Sequence, residues 1–389
     1  MKITRVKTVV VHAEMRNWVF VKVETDSDGL FGWGEASLEW KTRSVVGAVD
    51  DLAPMIVGEN PLQIEHLYQK MYRQGFWRLG IIGMSALSGI ELALWDIKGK
   101  HLGVPVFELL GGMVRDRVRM YTHLGGGAMK AVYETFDVGP LIELTHQVLN
   151  RGYTAVKVVF VPYSRPLEGI PKVKQFARTM EKLRLAVGDE VDIMIDFHGR
   201  TYTGAAIQYI NAVEEYSPYF CEEPVTPENV EALQAVTRAT RVPIAVGERL
   251  VTRHQFRPVF EAHACHVIQP DLCHCGGLFE AKKIAAMAEA YSMGVAPHNP
   301  LGPVANAAAL HFALSTPNFL IQEDMLTDVP YRWDVVKSDL KTEDGHWLPT
   351  AVPGLGIEVD EAEAAKHPFQ QEVIHPITIR DENNAVVDW

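Results

Sequence analysis

An α/β chain is predicted here: a closed barrel of eight parallel strands, preceded by a separate α+β domain. Three observations lead to it. Short apolar runs in the second half end in acids or an imidazole at a nearly constant spacing. Asp196 closes Val191-Asp-Ile-Met-Ile-Asp, Glu222 follows Tyr219-Phe-Cys 26 residues later, and Glu248 closes Ile244-Ala-Val-Gly after another 26. His298 closes Gly294-Val-Ala-Pro 50 residues further on. A period near 26 is one strand, one helix and two loops of a parallel barrel. The second observation is strand–helix alternation from Val118 onward, and the third is the different texture of the first 115 or so residues.

The first region opens with Val19-Phe-Val-Lys-Val-Glu-Thr, which alternates, turns at Asp28-Gly29 and returns through Phe31-Gly-Trp-Gly-Glu. That is a hairpin or meander. From Met84 to Lys100, residues Ala86, Ile90, Ala93, Leu94 and Ile97 fall on one apolar helical face. Strands followed by helices form an α+β unit over residues 1–117. Eight strands follow: Val118–Tyr121, Ala155–Phe160, Asp192–Phe197, Tyr219–Glu222, Ile244–Glu248, Val267–Asp271, Gly294–His298 and Phe319–Glu323. Val173–Ala186 and Leu278–Tyr291 carry helical periodicity between them. Eight parallel strands suit a closed barrel, 118–326, better than an open sheet. After Glu323 no strong helix is expected, which leaves 327–389 free to pack on the first domain.

Composition narrows the class. At 47% hydrophobic and 22% charged the chain can build a large core. A net charge of -12 argues against nucleic acid or an anionic membrane as partner, and an anionic substrate would need a local cation. Neither a signal-peptide core nor an 18-residue apolar span is evident, so a cytoplasmic enzyme is expected. Cys221, Cys265, Cys273 and Cys275 read as buried reduced thiols, because Cys273-His-Cys275 lacks the spacing and the second pair of a zinc site.

Polar groups at the C-terminal ends of successive parallel strands share one mouth, where such barrels carry their chemistry. Three carboxylates converging there cannot all stay ionised without a cation. Asp196, Glu222 and Glu248 are therefore expected to hold a metal; all-oxygen donors favour Mg²⁺, or Mn²⁺ as a substitute, over Zn²⁺. The blander alternative is that each acid caps the next helix. Glu223 should point away from Glu222 and is not counted as a ligand. Continued strand geometry would place His198 on the same side as Asp196. His298 lies almost opposite across the barrel, so two imidazoles flank the metal position. Asp271 and Glu323, on the strands either side of His298, either serve it or are structural. Asp271 could fix its tautomer, and a protonated Glu323 could bond a substrate carboxylate. Lys157 is either an inward cation or a snorkelling edge residue.

Beyond these residues, the chain resembles the enolase superfamily, in its mandelate-racemase-like branch, and within it the galactonate-dehydratase-like group. The resemblance rests on Gly32-Trp-Gly-Glu35, Ala93-Leu-Trp-Asp-Ile-Lys-Gly-Lys100, Leu110-Gly-Gly-Met-Val-Arg-Asp116, Asp196-Phe-His-Gly-Arg200, Glu222-Glu-Pro-Val225, Gly247-Glu-Arg249, Gln269-Pro-Asp-Leu272 and Ala296-Pro-His-Asn-Pro-Leu-Gly-Pro303. It implies a capping domain over a (β/α)7β TIM-like barrel, with the C-terminal segment returning to complete the cap. It implies Mg²⁺ on Asp196, Glu222 and Glu248, His298 as base paired with Asp271, His198 as general acid, and Glu323 near the substrate carboxylate. A homo-oligomer acting on a small acid sugar is expected with it. The expected reaction is a hydro-lyase reaction: loss of the C2 proton and 3-hydroxyl of an aldonate gives a 2-keto-3-deoxy acid. A cycloisomerase or 2-epimerase using the same enolate, and a barrel that binds without turnover, are the alternatives.

The chain also departs from the family pattern. Val159 stands where relatives carry a second lysine or an asparagine, Asn299 where a cysteine is common, and Thr122-His-Leu-Gly where an aromatic is usual; Gly125–Pro171 is longer than usual. Substrate hydroxyls would then be read by the cap. Arg16, Trp18, Trp77 and Arg78 are the candidates, because guanidinium and indole groups suit polyols.

Overall fold

The computed structural model describes residues 1–124, 138–326, 328–372 and 383–388. Of the long segment Gly125–Pro171, residues 125–137 thus lie outside the description, as do 373–382 and Trp389 in the tail. The chain begins with an antiparallel sheet of β1 (Ile3–Ala13), β2 (Arg16–Thr25) and β3 (Phe31–Glu35). Helices α1 (Thr42–Ile56), α2 (Ile64–Arg73), α3 (Gly80–Leu102) and the short α4 (Val106–Leu109) follow. Gly32 and Gly34 explain how tightly β3 lies on α3. A Cβ at Gly32 would sit 2.1 Å from the Ala93 carbonyl oxygen, and one at Gly34 2.0 Å from that of Gly89. Only glycine permits that approach. By length and composition α3 is apolar enough to cross a membrane, contrary to the sequence expectation, but 83% of that stretch is buried inside the protein.

Barrel strands β4 (Val118–His123), β5 (Ala155–Val158), β6 (Asp192–Asp196), β7 (Cys221–Glu222), β8 (Ile244–Val246), β9 (Val267–Ile268) and β10 (Gly294–Val295) pair in parallel, in sequence order. β11 (Gln322–Asp324) pairs with β4, and a bridge from Val295 to Phe319 closes the ring. Among the described residues seven α-helices alternate with the strands: α5 (Val138–Leu149), α6 (Ile170–Val187), α7 (Thr203–Val213), α8 (Val230–Ala239), α9 (Thr252–Glu261), α10 (Gly277–Ala290) and α11 (Pro303–Ser315). After β11 the only α-helix among the described residues is the four-residue α12 (Glu361–Ala364); short strands make up the rest of the regular structure there.

One buried layer fills the barrel: Tyr121, Ala155, Met194, Phe220, Ala245, Val267, Ala296 and Ile321, one at each strand position. Side chains alternate along a strand, so the residue two further on faces the same interior, one layer higher. Those residues are His123, Lys157, Asp196, Glu222, Gly247, Gln269, His298 and Glu323. The apolar floor thus fixes which residues meet above it.

The cap docks through carboxylates set into the start of barrel helices. Glu35 accepts from the amides of Gly302 (2.7 Å) and Ala305 (2.8 Å) at the start of α11. Glu91, on α3, accepts from Leu278 (2.8 Å) and Phe279 (3.0 Å) at the start of α10, and from the Trp95 indole (2.7 Å). An anion suits the orphan amides and positive dipole end of a helix N-terminus. Burial nevertheless pushes Glu91 up to about 7, against the pull of these donors. Glu91→Ala is expected to leave two amides and an indole N–H without partners. At roughly 1–3 kcal/mol per unsatisfied buried donor, it should cost about 3 kcal/mol or more, measured by urea unfolding.

The C-terminal stretch returns to the cap. Glu358 meets the Trp33 indole at 3.0 Å and also pairs with Lys100, while Glu361 pairs with Lys7 (2.7 Å) and Lys22 (2.8 Å).

Candidate active site

A cavity of about 450 Å³ lies between cap and barrel. Met15, Arg16, Leu38, Glu39, Trp40 and Ile81 form its cap side; its barrel side includes His123, Lys157, Asp196, His198, Glu248, His274, His298 and Glu323. Glu222 lies beneath, fully buried.

One oxygen from each of Asp196, Glu222 and Glu248 falls within 4.8 Å of the others. Asp196 and Glu222 sit side by side in register on β6 and β7. Glu248 arrives differently. Strand β8 stops at Val246, and Gly247 takes a φ of 141°, turning the chain so that the next residue, rather than one of strand register, reaches the cluster. Glu223 braces this turn, accepting from the Gly247 amide (2.9 Å) and pairing with Arg249 at 2.6 Å.

Lys157 points inward and is 2% exposed, so the snorkelling alternative does not hold. Its Nζ lies 2.8 Å from Glu222 Oε1, 2.8 Å from Glu323 Oε1 and 3.3 Å from Asp196 Oδ2. Burial alone would lower the pKa of Lys157, but Glu222 and Glu323 hold it well above the usual lysine range. Burial would raise Asp196, yet His198 and Lys157 keep it well below the carboxylate range. Burial and then the charge of Asp196 push Glu222 well up, with Lys157 offsetting only part. Glu222 Oε2 is buried and has no hydrogen-bond partner. A buried oxygen without a donor, next to two further carboxylates, is what a divalent cation would satisfy. The donor set is all oxygen, so the group fits as a hard divalent ion.

His298 Nδ1 lies 2.8 Å from Asp271 Oδ2, which leaves Nε2 facing the cluster, 3.4 Å from Glu248 Oε2. Burial would lower its pKa, but Glu248, the Asp271 hydrogen bond and Glu323 lift it to about 10. A cation held by Glu248 opposes that lift. On the opposite side, His198 Nε2 lies 3.2 Å from Asp196 Oδ2. It does not get there by continuing the strand. β6 ends at Asp196, and His198 takes a left-handed φ of 51° while its amide bonds to Asp196 Oδ1 at 2.9 Å. Arg200 Nη2 is 3.3 Å from His198 Nδ1. A guanidinium cannot accept, so Nδ1 does, and the ring proton sits on Nε2.

Three expectations are corrected. Glu323 is not a neutral acid: burial would raise it, but Lys157 and His298 hold it below the usual range, and the Asn299 amide donates to it at 2.8 Å. Trp18 is wholly buried in the cap core, with the Arg332 guanidinium over its ring, because its position in β2 faces inward. Trp77 is 79% exposed and packs edge-on against Phe76, and Arg78 lies over Tyr72; neither lines the cavity. Arg16 does line it, 4% exposed and 3.4 Å from Glu39.

His123, Glu39 and His274 are among the cavity residues that the sequence reading does not pick out. His123 stands two residues beyond the floor residue Tyr121, so strand alternation from the floor would have found it. Burial and Lys157 depress it to about 3, keeping it neutral. Glu39 sits just beyond β3 on the cap side. His274 lies inside a Cys-His-Cys string whose sequence reading concerns the thiols alone; all four cysteines are buried and free, as that reading expects.

Residues 141–363 match the enolase C-terminal domain-like family, and residues 2–111 match the N-terminal domain of mandelate racemase / muconate lactonizing enzyme. The chain belongs to the mandelate racemase / muconate lactonizing enzyme family of the enolase superfamily. Within this family it is 41% identical over 368 residues to the D-galactonate dehydratase of Xanthomonas euvesicatoria pv. vesicatoria (strain 85-10), covering 93% of each chain. It is 42% identical over 369 residues to the D-galactonate dehydratase of Ralstonia nicotianae, again over 93% of each. A mandelate racemase/muconate lactonizing enzyme from Sulfitobacter sp superposes with a TM-score of 0.87 at 38% identity, covering 95% of this chain and 96% of that one. A mandelate racemase/muconate lactonizing enzyme-like protein from Roseovarius sp. TM1035 gives 0.88 at 38% identity, covering 96% and 97%. These family members share the cap-over-barrel architecture.

Proposed function

We propose that this protein is a Mg²⁺-dependent hydro-lyase that dehydrates an aldonic acid, with D-galactonate the first substrate to test. The observation that carries the mechanism is the placing of two imidazoles on opposite sides of one carboxylate cluster. β6 and β10 are four places apart in the eight-stranded ring, so His198 and His298 face each other across it. A substrate held between them presents one face to each. The D-galactonate dehydratases, similar along 93% of this chain, support the choice of reaction and substrate class.

Asp196, Glu222 and Glu248 would hold the cation, which stabilises the negative charge that develops on the substrate carboxylate as the C2 proton leaves. Lys157 supplies the local positive charge that an acidic protein needs to accept an anion. His298 takes the C2 proton at Nε2, with Asp271 fixing the other nitrogen. From the opposite side His198 donates its Nε2 proton to the departing 3-hydroxyl, which leaves as water, and the resulting enol tautomerises to the 2-keto-3-deoxy acid. Such assistance is worth roughly 10²–10⁴-fold per group.

The test is a product screen of aldonic and aldaric acids with Mg²⁺. The expected result is a 2-keto-3-deoxy acid from D-galactonate, with loss of one water. Recovery of a C2 epimer would make the protein an epimerase, and binding without any product a non-catalytic barrel. In the same screen Arg16→Ala is expected to change the ranking of acids by kcat/KM and leave Mg²⁺ affinity nearly unchanged. A site that bonds a substrate hydroxyl discriminates strongly against analogues lacking it. An unchanged ranking would remove Arg16 from the recognition surface.

A further inference from the structure

His274 is a buried imidazole at the cavity wall to which the mechanism above gives no task. It is 3% exposed and sits in the turn after β9. On one side it meets the cap, where Ser85 Oγ, on α3, lies 2.9 Å from its Nδ1. Ser85 has a single hydroxyl proton, and Oγ already donates at 2.8 Å to the Ile81 carbonyl. The serine therefore accepts, and His274 Nδ1–H donates. On the other side His274 Nε2 lies 3.6 Å from Asp271 Oδ2, the oxygen that holds His298 Nδ1 at 2.8 Å. Asp271 Oδ1 is taken by the Cys273 amide at 2.7 Å. Two imidazoles thus crowd one carboxylate oxygen, and one of them is tied to the cap.

We propose that His274 is a positioning residue: anchored by Ser85 of the cap, it fixes the Asp271 carboxylate against which His298 is aligned. The proposal rests on the reading of His298 as the base. A carboxylate with one oxygen held by an amide can still swing the other. An imidazole wedged against that oxygen, itself pinned across the domain boundary, removes this freedom. Alignment of the base then depends on how the cap sits on the barrel.

Asparagine and glutamine separate the two ends of the ring. His274→Asn keeps a nitrogen near the Nδ1 position, for Ser85, and none toward Asp271; His274→Gln places its amide near the Nε2 position. With D-galactonate and Mg²⁺, His274→Asn is expected to lower kcat by about 10- to 100-fold, the usual cost of removing an outer orienting partner, with KM and Mg²⁺ affinity nearly unchanged. His274→Gln should recover most of the loss, and Ser85→Ala should fall between. A second readout needs no substrate. The low-field proton resonance of the His298–Asp271 hydrogen bond should persist in the parent and the Gln variant, and move or vanish in the Asn variant. Parental kcat in His274→Asn, a change in KM alone, an unmoved resonance, or equal losses in the Asn and Gln variants would each overturn the proposal. Should the parent protein fail to turn over D-galactonate, that counts against the functional reading, while the resonance still decides the positioning role.

Discussion

His298→Asn is expected to reduce dehydration of D-galactonate by about 10³- to 10⁴-fold, at the upper end of what a positioned base contributes. Asparagine can still reach Asp271 in place of Nδ1, so the 2.8 Å contact has a substitute. What disappears is Nε2, the nitrogen aimed at the carboxylate cluster. Deuterium incorporation at C2 in D₂O should stop together with turnover, while Mg²⁺ binding remains. The companion His198→Asn should also stop dehydration and yet leave C2 exchange measurable, because His298 is intact. Exchange lost in the His198 variant and preserved in the His298 variant would reverse the two roles.

Glu248→Gln is the second large effect. It removes one formal charge and one strong oxygen donor from a cluster whose oxygens lie within 4.8 Å of each other. Loss of a charged partner from such a site costs roughly 2–5 kcal/mol, tens- to thousands-fold in affinity. Mg²⁺ titration by calorimetry should show that loss, and activity should fall with it. Glu248 is better suited to the test than Glu222. It sits at the turn after β8 with its side chain 15% exposed, whereas Glu222 is wholly buried against Lys157, so that its replacement would disturb the barrel interior too. Undiminished activity of the parent enzyme in excess chelator would defeat the metal assignment.

The barrel was legible in sequence because its repeat is physical: strand, helix and loops fix a length, and the strand end fixes where polar groups gather. The convergence of Asp196, Glu222 and Glu248 follows from that spacing. The backbone turns at Gly247 and His198 do not, because a local change of φ leaves no mark on the apolar pattern. The charge environment of Glu323 is not legible in sequence because it depends on Lys157, whose inward course alternation alone cannot separate from an edge position. Trp18 and Trp77 failed for opposite reasons. Trp18 belongs to a strand face that the helices cover, and Trp77 to a loop turned toward solvent. Neither burial could be assigned without knowing how α3 lies over β2 and β3.

The cap is discontinuous along the chain, and this bears on how new specificities can be engineered by exchanging caps between relatives. A transplant that replaces only the N-terminal part of the cap would bring the donor's counterparts of Glu35 and Glu91 to α11 and α10 but leave Glu358 and Glu361 facing foreign partners in place of Lys100, Lys7 and Lys22. A working chimera therefore needs two crossovers, one on each side of the barrel. The donor must supply an acid at both helix-start positions and the paired glycines of β3. Recombination at a single point would yield a protein whose halves each fold by their own rules and fail to seat.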